Sequence, residues 1–177
     1  MRTPADDLGL LRDFAAGRRE ALGELASRHE RALLGLALGL VGDEAGAREV
    51  VQEMWLRVIR HAATFRGGST VKTWLYRIVI NQCHDHRARE QRQRRVKGRG
   101  SDDAVGTPPE PETNAVLHEA VAALPEDRRV IVLLCYHADM THEQAAAILE
   151  IPVGTLKSRL HAALKELRTR LGAEVTA

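Results

Sequence analysis

The stretch DMTHEQAAAILEIPVGTLKSRL, Asp139–Leu160, decides how the rest of the chain is read. Thr141 followed three residues later by Gln144 is a capping box: hydroxyl and amide each satisfy a backbone N–H that a first helical turn leaves unpaired. A short helix therefore opens there, EIPVG makes a tight turn, and Thr155 is positioned to cap a longer helix running to about Leu171. Short helix, Gly-containing turn and basic second helix form a helix-turn-helix pattern. In such a unit the second helix enters the major groove, its N-terminal residues face base edges, and neighbouring cations and hydroxyls hold phosphates. The candidates are Thr155, Lys157, Ser158, Arg159, His161, Ala162 and Lys165. A helical hairpin with a solvated basic face would explain the charges but not the capped turn.

Upstream, NAVLHEAVAAL reads as one helix and Pro125 opens the next, EDRRVIVLLCYHA. Before these lies an abrupt change of charge. His86 to Arg99, HRAREQRQRRVKGR, holds seven Arg or Lys against one Glu, whereas Ser101 to Thr113 holds four acids and no base. Pro108, Pro109 and Pro111 remove backbone donors and favour extended chain. The expectation is an all-α protein of two small helical domains, 1–95 and 114–177, joined by a flexible acidic, proline-containing linker at 96–113.

The N-terminal domain begins with DDLGLLRDFAAG near Asp6, where Gly17 suggests a stop. A helix from about Arg19 to Val41 follows, and Asp43 is placed to cap EAGAREVVQEMWLRVIRHA. After the loop TFRGGS, Ser69 or Thr70 caps a helix with Val71, Trp74, Leu75, Ile78 and Val79 on one face. Trp74 lies on that stripe and reads first as core; Lys72, Tyr76, Arg77 and Asn81 leave it.

Composition narrows the function classes. Aromatic residues are only 3% of the 177 and charged residues 28%, so the core rests on aliphatic side chains. The net charge of +2 is near balance, but the blocks point to a nucleic-acid partner. Cys83 and Cys135 lie far apart without CxxC spacing, which fits a reducing cytoplasm better than a disulfide framework. Neither a signal peptide nor a membrane span is expected: the most apolar run, ALLGLALGLV, is about half of a spanning helix. CHDH, at Cys83 to His86, is a poor chelate because adjacent helical residues diverge, so its histidines read as ordinary surface residues and no metal or cofactor is expected. No Ser-His-Asp order, phosphate loop or carboxylate pair stands out, so the chain is not expected to be an enzyme.

LPEDRRVIVLLCYHADMTHEQAAAILEIPVGTLKSRLHAALKELR closely resembles the promoter-binding domain of the extracytoplasmic function (ECF) sigma factors, within the sigma-70 family. EVVQEMWLRVIRHAATFRGGSTVKTWLYRIVINQCHDHR is similar to their N-terminal domain. The resemblance implies a protein that binds core RNA polymerase, reads a minus-thirty-five element as duplex, and captures a minus-ten element as single strand. The family's DLVQE signature stands here as EVVQE, which implies polymerase contact by Glu49, Gln52 and Glu53. For the minus-ten strand it implies Phe65, Arg66, Gly68, Ser69, Lys72, Trp74, Tyr76, Arg77, Ile78 and Asn81, with Ile78 and Asn81 framing a pocket for an extruded base. Stacking and a positive groove suit such a strand, each stack contributing about 1–3 kcal/mol.

Departures matter as much. Only one of the adjacent melting tryptophans of primary sigma factors is kept, as Trp74 beside Leu75, which implies weaker melting power. Ala162 and Leu164 stand where relatives often carry Arg, which weakens the expected hold on the minus-thirty-five element. The acidic linker implies passage toward the polymerase active site, against the plainer reading of a solvated spacer. An anti-sigma factor is a further expectation. The alternatives are a free-standing helix-turn-helix regulator and a helical protein-interaction module with incidental basic patches.

Overall fold

A computed structural model describes residues 6–96 and 112–174, all helix, turn or loop with no strand among them. Local chemistry sets most of the boundaries. Asp6 accepts from the Gly9 N–H at 2.6 Å and opens α1 (Asp7–Ala15), and Gly17, at φ +104, turns the chain away. Helix α2 (Glu20–Val41) closes on Gly42 in the left-handed conformation, its N–H donating to the Leu38 carbonyl. Asp43 then accepts from the Gly46 N–H at 2.7 Å to start α3 (Glu44–His61). A 3₁₀ turn, Ala62–Thr64, and an exposed loop lead to α4 (Val71–Val96), capped by Thr70, which accepts from the Thr73 N–H at 3.1 Å.

The C-terminal group comprises α5 (Glu112–Ala122), α6 (Glu126–Val132) prolonged by a π turn at Leu133–His137, α7 (His142–Leu149) and α8 (Val153–Glu174). Both bonds of the capping box form: Gln144 N–H to Thr141 Oγ1 at 3.2 Å, and Thr141 N–H to Gln144 Oε1 at 2.9 Å. Glu150 takes the left-handed conformation that ends α7. Thr155 does not cap α8. That helix starts two residues earlier because the Pro152 carbonyl already accepts from the Leu156 N–H at 3.0 Å, which puts Thr155 inside the first turn. Residues 97–111 of the expected linker lie outside the described residues.

One continuous cluster of buried, mostly aliphatic side chains runs through both groups of helices. In the N-terminal group α2 packs on α1, α3 and α4, and Leu25, Leu33, Leu36, Met54 and Leu75 are fully buried. In the C-terminal group α8 lies against α5, α6 and α7 through Leu156, Leu160, Ala163 and Leu167, spaced so that one face is apolar. Each fully buried Leu contributes about 1.5–3 kcal/mol relative to exposure. Arg128 also reaches Glu166 at 2.8 Å, tying α6 to α8.

The two groups touch. Side chains of the π turn seat on α2 where it lacks Cβ atoms: a Cβ at Gly39 would stand 2.8 Å from Leu133 Cδ1, and one at Gly35 would meet the His137 ring. The two glycines are four apart and so share a face. Thr141→Ala removes the capping hydroxyl and should cost about 1 kcal/mol. Thermal unfolding followed by circular dichroism should then show a midpoint roughly 2–4 °C lower.

Candidate nucleic-acid and polymerase interface

The outward face of α8 gathers the helix-turn-helix candidates. Lys157, Ser158, Arg159, His161 and Lys165 are exposed, and Thr155 and Ala162 are half-buried at the edge of that face. The opposite face carries the buried Leu156, Leu160, Ala163 and Leu167, so packing fixes which side is offered. Ser158 Oγ donates back to the Thr155 carbonyl at 2.9 Å, and among the described residues Arg159 has only Asp127 at 3.8 Å for an ion pair. The flanking acid is neutralised within the unit: hydrogen bonds from Arg170, then Arg128, hold Glu166 below the usual carboxylate range.

On α3, Glu49 and Gln52 are exposed and Glu53 is half-buried. Residues that the sequence reading missed lie beside them. Leu56 and Ile59 are 38% and 46% exposed, and they share the face of Gln52 at four- and seven-residue spacing. Next to them is a cavity of about 330 Å³ lined by Leu34, Val51, Gln52, Trp55 and Leu56. The indole N–H of Trp55 is buried without a hydrogen-bond partner among the described residues. Apolar side chains left in water on a capped, well-packed helix mark a contact surface. The signal was present in QEMWLRVIR, where Leu and Ile fall on the wet side of the helix.

The single-strand candidates divide. Arg66, Gly68 and Asn81 are exposed, and Ser69 and Ile78 are half-buried. Phe65 and Trp74 pack ring to ring at 5.0 Å and 44°, and both are half-buried, so Trp74 serves the core while keeping an accessible edge. Trp74, Arg77, Ile78 and Asn81 lie on one side of α4.

Tyr76 requires correction. It leaves the apolar stripe as expected, yet it is 1% exposed, because the C-terminal group covers that flank of α4. Lys72 Nζ lies 5.9 Å over its ring and 3.4 Å from the Ala138 carbonyl. Burial, then the charge of Asp139, pushes the Tyr76 phenol up. Arg77 is engaged at the same seam: it donates to the Ala147 carbonyl at 2.6 Å and pairs with Glu150 at 3.3 Å. Further along, His84 and Arg87 both reach Glu126 at 2.9 Å.

CHDH splits in three directions. Cys83 is buried, and that burial pushes its thiol up to about 12, with Glu126 adding to the shift and Arg87 opposing it. His84 is a surface histidine as expected. His86 is not: it is 7% exposed, a burial its CHDH context did not reveal.

Residues 25–93 match the family Sigma-70 region 2, and residues 115–167 match Sigma-70, region 4. The chain is 36% identical to the ECF RNA polymerase sigma factor SigL of Mycobacterium tuberculosis, over 89% of this chain and 92% of that protein. It is 29% identical to the RNA polymerase sigma-H factor of Pseudomonas aeruginosa, over 90% of this chain and 91% of the other. In fold it is similar to CnrH, solved in complex with the cytosolic domain of CnrY, at a TM-score of 0.73 and 24% identity, covering 94% of this chain and 97% of CnrH. It is also similar to the sigma factor RpoE of Bartonella quintana, solved with the anti-sigma factor NepR, at 0.69 and 24%, covering 80% and 91%.

A bulky side chain at Gly39 should part the two groups. Gly39→Phe is expected to raise the radius of gyration in small-angle scattering several Å above the roughly 16 Å of a compact chain of this length. Helicity should not change, and an unchanged radius would contradict the seam.

Proposed function

The chain belongs to the ECF RNA polymerase sigma factors of the sigma-70 family, and we propose how its surfaces divide that work. It binds core RNA polymerase and directs it to promoters as an initiation factor. The α3 face of Glu49, Gln52 and Glu53, extended by Leu56 and Ile59, takes the polymerase contact. What supports this reading is the exposed apolar pair beside Gln52, since burying such residues is the main favourable term in association. Residues 1–95 and 114–177 act as the minus-ten and minus-thirty-five modules, joined through 96–113.

The outward face of α8 reads duplex DNA with Lys157, Arg159 and Lys165, while the 65–70 loop, Trp74, Arg77, Ile78 and Asn81 hold single strand. Use of Lys72, Tyr76 and Arg77 requires the C-terminal group to leave α4. A partner that holds the two groups together would therefore keep the protein silent, and an anti-sigma factor fits that part, as NepR is for RpoE. Catalysis belongs to the polymerase. The site of action is the cytoplasm, in keeping with the lack of a helix long and apolar enough to cross a membrane among the described residues.

Leu56→Asp and the pair Gln52→Ala with Glu53→Ala should each weaken binding to core polymerase at least tenfold, about 1.4 kcal/mol, with circular dichroism unchanged. Co-elution and promoter-dependent transcription with purified core polymerase measure this; full activity in both variants would remove α3 from the interface. Arg159→Ala should reduce use of duplex minus-thirty-five DNA and lower the salt dependence of binding, as loss of one phosphate contact does. Asn81→Ala should leave duplex binding intact and impair opening at the minus-ten strand, read by permanganate reactivity of thymines.

A further inference from the structure

His86 is buried in the N-terminal group, its Nε2 atom sealed from water and without a hydrogen bond among the described residues. That orphan nitrogen does not face an apolar wall. Asp43, His86 and Glu90 each offer a ligand atom, and the three lie within 4.8 Å of one another. His86 and Glu90 are four apart on α4, the spacing that stacks two side chains on one helical face. Asp43 comes from a different element, the N-cap of α3. Its Oδ1 is already held by the Gly46 N–H at 2.7 Å, which leaves Oδ2 free to face the imidazole. The approach depends on Gly46, where a Cβ would stand 2.8 Å from His86 Nε2 and 2.9 Å from Asp43 Oδ2.

We infer that Asp43, His86 and Glu90 form a site for a divalent transition-metal ion, zinc(II) by chemistry. One imidazole and two carboxylates suit zinc, cobalt or nickel better than magnesium or calcium, which take oxygen ligands alone. Three protein ligands leave a fourth position for water. With bonds near 2.1 Å the donors of a tetrahedral site stand about 3.4 Å apart, so closing the set draws both carboxylates inward, Glu90 from its present 3.9 Å separation from Nε2 and Asp43 from within 4.8 Å. The other ring nitrogen is also provided for: Glu49 Oε1 lies 3.8 Å from His86 Nδ1, where an outer carboxylate orients a metal-bound histidine. Arg89 at 3.6 Å from Glu49 and Arg94 at 4.0 Å from Glu90 are the nearby cations, both largely exposed and so weak competitors. A bound ion pins the start of α3, the helix of Glu49, Gln52 and Glu53, to α4.

The test is titration of the metal-free full chain with cobalt(II) chloride, followed by the visible d–d band of tetrahedral cobalt, and then displacement by zinc(II) chloride. One equivalent should bind, and zinc should displace it and raise the thermal midpoint. Asp43→Asn keeps the N-cap, and Glu90→Gln alters a half-buried position, so both variants should fold. Each should weaken cobalt binding at least tenfold, and Glu49→Gln should weaken it about tenfold through the orientation of the ring. Cys83→Ser and His84→Ala should bind like the parent. Failure of the parent chain to bind one equivalent would overturn the site and leave His86 a base among carboxylates. Binding that survives both Asp43→Asn and Glu90→Gln would overturn it equally.

Discussion

Helix α4 is packed from two sides, and the rest of the molecule is arranged around that constraint. Val71, Leu75, Val79 and Cys83 recur every fourth residue and close the N-terminal core against α2 and α3. Lys72, Tyr76, Arg77, His84 and Arg87 form a second flank that meets the C-terminal group. A third strip carries Asn81, which is exposed, with Trp74 and Ile78, which are half-buried. A single helix thus fixes three surfaces relative to one another, and none can turn without the others.

The two packings differ in kind. The N-terminal core interlocks fully buried Leu and Met side chains and has no substitute. Across the seam, Arg77 with Glu150 and His84 with Glu126 are solvent-exposed pairs, a class worth about 0–1 kcal/mol each. The close approach at Gly35 and Gly39 adds dispersion, and the buried cluster continues across the seam. Buried Tyr76 keeps its apolar ring in that seam, with Lys72 over its face, so the joint is specific in register.

What was legible in the sequence was what is local. Asp43, Thr70, Thr141 with Gln144, and Gly17 each act within three or four residues of their own position, and the helices they bound are where those residues put them. The helix-turn-helix and the apolar faces of α4 and α8 follow from periodicity in the same way. Thr155 failed as a cap because Pro152 offered an earlier start, a competition between neighbours that spacing alone does not rank. Tyr76 and His86 could not be read, since the groups that bury them come from elsewhere: Ala138 and Asp139 over one, the Gly46 turn against the other. Leu56 and Ile59 were visible as apolar residues but not as a surface, because exposure depends on which helices pack where.

The same side chains are asked to do two things under the proposed assignment, and that sets the logic of control. Lys72 and Arg77 spend their donors on the Ala138 and Ala147 carbonyls in the closed arrangement, so a phosphate or base can use them only after those bonds are given up. DNA and the C-terminal group therefore compete for one flank of α4. A ligand whose binding requires the open form sees its apparent affinity reduced by the fraction of molecules that are open. A partner that drew the two groups apart would raise that fraction; one bridging them would lower it. Neither needs to touch Arg77 to change what Arg77 can hold, because each shifts the same two-state equilibrium from a different surface.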